Sequence, residues 1–172
     1  MSASAVISDF RKQCLLRVRE NTDKVTACLE HYNDDSIWDR SNEHTLAMAN
    51  QLLHLSGNIT QYIISGLGGR PDARERDLEF SVRSGLTKEE LQQRFLNVIH
   101  EAMSVIERCS ELEWMRHREV QGFHLSGIGI ALHVVEHYSY HTGQIVAKTK
   151  ERINRPMGFY DGIDLNTKNR TT

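Results

Sequence analysis

Three features of this 172-residue chain point to an all-α fold, an antiparallel four-helix bundle with long connecting loops. Apolar residues recur at helical spacing over four long segments. Two of those segments are nearly free of charge, as inner helices are. Only two prolines and 7% aromatic residues are present, a composition that does not suit a β-sandwich. The length accommodates one domain with a full core, residues 1–172.

The first helix is expected over residues 3–31, where Phe10, Cys14, Val18, Val25 and Leu29 fall at helical spacings between charged residues. Tyr32 to Asn42 is a polar connection, with Trp38 as the anchor that packs it onto the helices. The second helix is expected over 44–67. From His44 to Gly69 there is no Asp, Glu, Lys or Arg, so this helix is read as buried on most sides. Ala47, Gln51, His54, Asn58, Gln61 and Ser65 form a stripe along it, and Leu52, Leu55, Ile59, Tyr62 and Ile63 take another side. So many polar groups exclude a membrane span. A buried polar stripe must face a wet cleft or a metal ion, because unpaired buried polar groups are costly. Gly66, Gly68, Gly69 and Pro71 end the helix.

Residues 70–83 read as a charged, solvated connector, in which Arg74 and Arg76 are candidates to hold an anionic substrate group. Thr87-Lys88-Glu89-Glu90 is a capping box that opens the third helix. Leu91, Phe95, Val98, Ala102, Val105, Ile106 and Cys109 form its apolar face, and His100 lies off it. Ser110 to Gln121 reads as charged and irregular, anchored by Trp114. The fourth helix is expected over about 126–152. Between Glu119 and Lys148 its only formal charge is Glu136, so it is read as a second inner helix, with Gly127 and Gly129 permitting close approach. Lys148, Lys150 and Arg152 suit the dipole at its end, and Asn154 and Pro156 stop it. Residues 154–172 are expected to lie across the bundle and to fray over 166–172.

The net charge of −2 gives no long-range attraction to nucleic acid or an anionic membrane, and no basic patch with interleaved aromatics is present. Cys14, Cys28 and Cys109 are isolated and form no CxxC pair, which fits buried, reduced thiols. The N-terminal residues lack a basic region followed by an apolar one, so a cytoplasmic protein is expected.

His133, His137 and His141 recur every four residues. At 100° per residue neighbours in this row lie about 40° apart and share one helix face. Their Cβ atoms are then about 5–6 Å apart, so two imidazoles of the row can reach one ion. The second helix supplies the third ligand, His54. Spacing alone does not say which two of the three row members coordinate. Three neutral nitrogens leave a coordination position open, the arrangement of a reactive site. Zn²⁺ is the default, and Ni²⁺, Fe²⁺, Mn²⁺ or Co²⁺ also accept imidazole. His133, Asn58, Gln61, Gln144 and Glu136 are candidates to line the cleft or to fix an imidazole tautomer. Glu136 lies about 100° from His137 and is expected to pair with a neighbouring helix. His31, His44, His100, His117 and His124 are read as exposed or structural.

The segment Leu52-Leu53-His54-Leu55-Ser56-Gly57-Asn58-Ile59, followed by His137-Tyr138-Ser139-Tyr140-His141-Thr142-Gly143-Gln144-Ile145, is similar to the DinB superfamily. The H-x-x-x-H-x-G-Q-[IL] string carries most of that likeness, with Ser36-Ile37-Trp38 and Arg74 to Phe80 adding to it, over about residues 10–160. The resemblance implies a four-helix bundle, often a homodimer, with a divalent metal on a triad of His54, His137 and His141. His133 lies outside the family pattern. The resemblance also implies metal activation of a thiol or water on a small-molecule substrate, as in relatives that transfer or isomerise low-molecular-weight thiols, with Arg74 or Arg76 on a carboxylate of the thiol. A second reading is a non-catalytic stress or interaction module whose metal clamps the second and fourth helices. Tyr62, Trp114 and Phe123 are the residues a dimer interface would use.

Overall fold

A computed structural model describes residues 3–170. In chain order it comprises α1 (Ala3–Leu29), α2 (Met48–Ile59) continuing as a π-helical stretch (Thr60–Leu67), α3 (Arg76–Ser81), α4 (Lys88–Arg108), α5 (Glu111–Met115), the strands β1 (His117–Val120) and β2 (Phe123–Ser126), and α6 (Gly127–Ile153). The fold is mostly helical. α1 packs on α6 and α4, and α2 packs on α4 and α6. Val25, Leu29, Leu55, Ile63, Phe95, Trp114, Ile130 and Tyr138 are fully buried among them.

Local chemistry accounts for the helix ends. The capping box at α4 forms in full, with the Thr87 side chain accepting from the Glu90 backbone and the Glu90 carboxylate accepting from the Thr87 backbone. Ser126 Oγ accepts the Gly129 N–H at the start of α6, and Asn154 closes that helix in the left-handed region.

Several expectations about the elements are corrected. The second helix begins at Met48 and not at residue 44. His44 N–H donates to Asn42 Oδ1 and Asn42 N–H donates to Thr45 Oγ1, local bonds that compete with helix. Its last eight residues are π-helical, closed by the Gly68 N–H to Ile63 C=O bond at 2.8 Å. The charged connector contains α3, whose Glu79 is buried. Ser110 to Gln121 is ordered as α5, capped by Ser110, and the first strand of a hairpin. The hairpin turns at Gln121 (φ 52°) and Gly122 (φ 80°), two positive-φ residues between the paired Val120 and Phe123. Finally, α6 is not wholly inner. Leu132 and Tyr140 are 57% and 63% exposed. Glu136 is exposed too, and makes no ion pair among the described residues.

Gly127 does permit a close approach. A Cβ there would come within 2.5 Å of the Glu113 carbonyl oxygen, which seats α5 on the first turn of α6. Gly129 has only ordinary contacts. Tyr62 and Trp114 fill the core and are closed to an interface, whereas Phe123 is exposed. The three cysteines are buried and unpaired. Among the described residues no helix is long and apolar enough to cross a membrane. Residues 166–170 are exposed and outside helix and strand, and the rest of the tail expected to fray, 171 and 172, lies outside the described residues.

Candidate metal centre

Side chains from α2 and its π-helical extension meet side chains from α6 in inverse order. Gln51 bonds His141 and Gln144, His54 meets His137, and Tyr62 stacks on His133. This register brings one ring nitrogen each of His54, His137 and His141 within 4.8 Å of one another. His54 Nε2 and His137 Nε2 are 3.1 Å apart. Two nitrogens bound to one tetrahedral Zn²⁺ at 2.0–2.1 Å would be about 3.3 Å apart, so the pair is already close to ligand spacing. His54 is 5% exposed and His141 7%.

The outer nitrogens of two of the rings are fixed. His54 Nδ1–H donates to Glu79 Oε2 at 2.9 Å. His141 Nδ1–H donates to Gln51 Oε1 at 2.6 Å, and Gln51 Nε2 donates in turn to Gln144 Oε1 at 2.9 Å. With Nδ1 protonated in both, the Nε2 lone pairs of His54 and His141 point inward. Such outward bonds are how metal-ligating imidazoles are held. His137 Nε2 faces the His54 lone pair, while His137 Nδ1 is buried without a hydrogen-bond partner among the described residues. The donor set therefore fits a divalent cation. Burial first, then the neighbouring imidazoles, lower the pKa of His137 to about 3. Burial and His54 lower that of His141 to about 4. Both rings are neutral near pH 7, the form that ligates metal.

Glu79 is the residue that sequence reasoning missed. It is 8% exposed and accepts from Arg74 Nε at 2.7 Å and Arg74 Nη2 at 2.8 Å, as well as from His54. Arg74 Nη1 donates to Gln61 Oε1 at 2.9 Å, and Gln61 Nε2 donates to Asp72 Oδ2 at 2.7 Å. Burial raises the Glu79 pKa, but the hydrogen bonds from Arg74 and His54 outweigh it and leave the carboxyl below its ordinary value. The pair rests on α2 over Gly57, where any Cβ would collide with Glu79 Oε1. Gly57 was legible as a glycine; nothing in the charged segment singled out Glu79 as its occupant.

Arg74, expected in a solvated connector and as a candidate to hold an anionic substrate group, is instead committed to Glu79, with a side chain 3% exposed. Arg76 stays exposed and lies over the Phe80 ring at 4.7 Å, and Phe80 packs on the His54 ring at 4.9 Å. His133 stacks on Tyr62 at 4.1 Å and next to His137 at 5.6 Å, its Nε2 buried and unpartnered, and burial lowers its pKa. Asn58 is 3% exposed and its Oδ1 has no partner among the described residues. It sits one turn from both His54 and Tyr62, hence level with the gap between His137 and His133. Glu136 is remote in role, an exposed residue on the outer face of α6.

Residues 4–155 match a family described as a protein of unknown function, DUF1572. The fold is DinB-like. It is similar to the crystal structure of a DinB-like protein, YjoA, from Bacillus subtilis, with a TM-score of 0.63 and 13% sequence identity, over 81% of this chain and 91% of that one. At that identity the likeness is one of fold. No curated protein matches the chain.

Proposed function

The chain belongs to the DUF1572 family of proteins of unknown function, and we propose that it is a divalent-metal protein whose centre is formed by His54, His137 and His141. One observation carries the reading: two inward lone pairs, each fixed by an outward hydrogen bond to Glu79 or Gln51, converge with a third imidazole. The long helical segments α1, α2 with its π extension, α4 and α6 form an antiparallel four-helix bundle in a single domain, a reading supported by the inverse order of partners along α2 and α6. Zn²⁺ suits the three-imidazole set, and Ni²⁺, Fe²⁺, Mn²⁺ or Co²⁺ are accepted by it.

The chemistry favoured is that of a metal-dependent enzyme acting on a small molecule. A bound cation would supply Lewis acidity and lower the pKa of a water or thiol at its remaining position. The chain's own groups do the rest. Glu79 and Gln51 hold two rings in the ligating tautomer, Phe80 covers His54, and Asn58 and His133 offer unpartnered polar atoms beside His137. The exposed Leu132 and Tyr140 give α6 a face suited to a second copy of the chain.

A structural metal clamp is the second reading, favoured by the near-complete burial of His54 and His141. His54→Ala separates the two. The enzymatic reading expects turnover, measured over thiol-conjugation and hydrolysis panels, to vanish with a smaller drop in melting temperature, the one that loss of a buried ring bonded to Glu79 causes by itself. The clamp expects a large drop in melting temperature of the metal-loaded protein. Wild-type protein that is metal-replete and folded yet inactive across both panels would sink the enzymatic reading.

A further inference from the structure

Behind the Arg74–Glu79 pair, between α2, α3 and α4, lies a pocket of about 510 Å³. Small-molecule sites span roughly 300–1,000 Å³ and combine apolar walls with a few polar groups. Here the walls are Leu53 of α2, Leu78 of α3, Val82, Leu86 and Val98 of α4. Leu78 is 51% exposed, although it projects from a short helix beside these apolar neighbours.

The charges around the pocket are unequal in their freedom. Arg74 and Glu79 neutralise each other in its back wall, and Arg70 is paired with Glu101. Arg94 also lines it and makes no hydrogen bond or ion pair among the described residues, although the Glu90 carboxylate one turn back on α4 is near enough to interact with its charge. Glu75, at the N-terminal end of α3, is another lining charge with no ion pair among the described residues. A guanidinium offers a planar fork that matches a carboxylate.

We propose that this pocket binds an amphipathic carboxylate, with its aliphatic body along Leu53, Leu78 and Val98 and its head on Arg94. The site is separate from the histidine cluster and does not depend on the metal reading. The two share one residue, because Glu79 lines the pocket and also orients His54.

Calorimetric titration of the full chain with decanoate tests this, below the concentration at which decanoate forms micelles and after chelator treatment, so that metal plays no part. Saturable binding of one decanoate per chain is expected. Octanoate and hexanoate should each bind roughly tenfold more weakly than the next longer acid, since every buried methylene contributes. Arg94→Met, an exposed substitution that leaves the fold intact, should weaken decanoate about tenfold by removing the charge-assisted bond. Val98→Trp should fill the pocket and abolish binding, and if that variant does not fold, Arg94→Met decides. The proposal is overturned by an absence of saturable binding, by no dependence on chain length, or by undiminished binding to Arg94→Met. Equal binding of decylammonium also overturns it, because recognition would then lie with Glu75.

Discussion

Replacing Glu79 by Gln keeps the side chain's size and removes its charge. In the folded chain that carboxylate meets three donors: Arg74 Nε, Arg74 Nη2 and His54 Nδ1–H. The Arg74 side chain is 3% exposed, so the substitution leaves a buried guanidinium without its counter-charge. Removing one partner of a buried ion pair costs about 3–5 kcal/mol. Whole domains are stable by about 5–15 kcal/mol, so the variant should fold but lose a large share of its stability. The amide nitrogen must also face a donor, either Arg74 or His54, and His54 loses the bond that fixes its tautomer. Loss of such an outer partner weakens metal affinity about 10–100-fold. Urea unfolding of the metal-free protein at pH 7.5 reads the first effect, and Zn²⁺ competition with a chromophoric chelator reads the second. The pH dependence adds a sign. The Glu79 carboxyl has a folded pKa below its ordinary value, so its contribution is present above the unfolded value and is lost as the pH falls through the folded one. Glu79→Gln should therefore flatten the acid limb of the stability curve below about pH 4.5 and leave the limb between pH 5 and 7 as it was. An unfolding midpoint and a Zn²⁺ affinity both equal to wild type would show that Glu79 neither anchors Arg74 nor orients His54.

Three further outcomes are expected. Gly57→Ala would gain roughly 1 kcal/mol of helix propensity, but its Cβ collides with Glu79 Oε1 and comes 3.0 Å from Arg74 Nε; a net loss of about 1–3 kcal/mol in urea unfolding is the result. The metal-free protein should lose stability as the pH falls from 7 to 5. His137 and His141 have folded pKa values lowered to about 3 and about 4, so below about pH 6.5 the unfolded chain binds more protons than the folded one. Allowing for the partial exposure of His137, the loss at pH 5 should be about 2–4 kcal/mol, and His137→Ala should remove about half of that slope. Gln51→Leu frees the His141 ring to rotate and should weaken Zn²⁺ about tenfold in the same competition assay, whereas Glu136→Gln, on the exposed face of α6, should change neither metal affinity nor stability.

Much of this was legible from periodicity and charge. The absence of charge from His44 to Gly69 marked α2 as buried, and the row of histidines at every fourth position marked the face of α6 that meets it. The capping box at Thr87 and the stop at Asn154 follow from local chemistry and appear where the sequence put them. What escaped is what only tertiary contact decides. Residues 70–83 carry many charges of both signs, and a sequence offers no means of telling the one acid that will be buried from those that stay solvated. Glu79 is buried because Gly57 leaves room for it and because Arg74 and His54 satisfy it there. The hairpin was hidden for a different reason. Its strands have four residues each, and only the second, Phe123-His124-Leu125-Ser126, alternates apolar with polar residues, too short a run to stand out beside Gln121-Gly122 at the turn. The charge-poor run of α6 also misled: half of it faces the core, but Leu132 and Tyr140 face outward, where small and apolar residues leave the same charge-free pattern.

The account stands on three imidazoles from two distant parts of the chain sharing one cation. The most direct measurement is the metal content of the purified protein after loading with Zn²⁺ and removal of the excess, compared with His137→Ala carried through the same steps and shown to be helical by circular dichroism. About one ion per chain is expected in the wild type and a small fraction of that in the variant. A wild type without bound ion, or a folded His137→Ala protein that keeps its full equivalent, would contradict the centre described here.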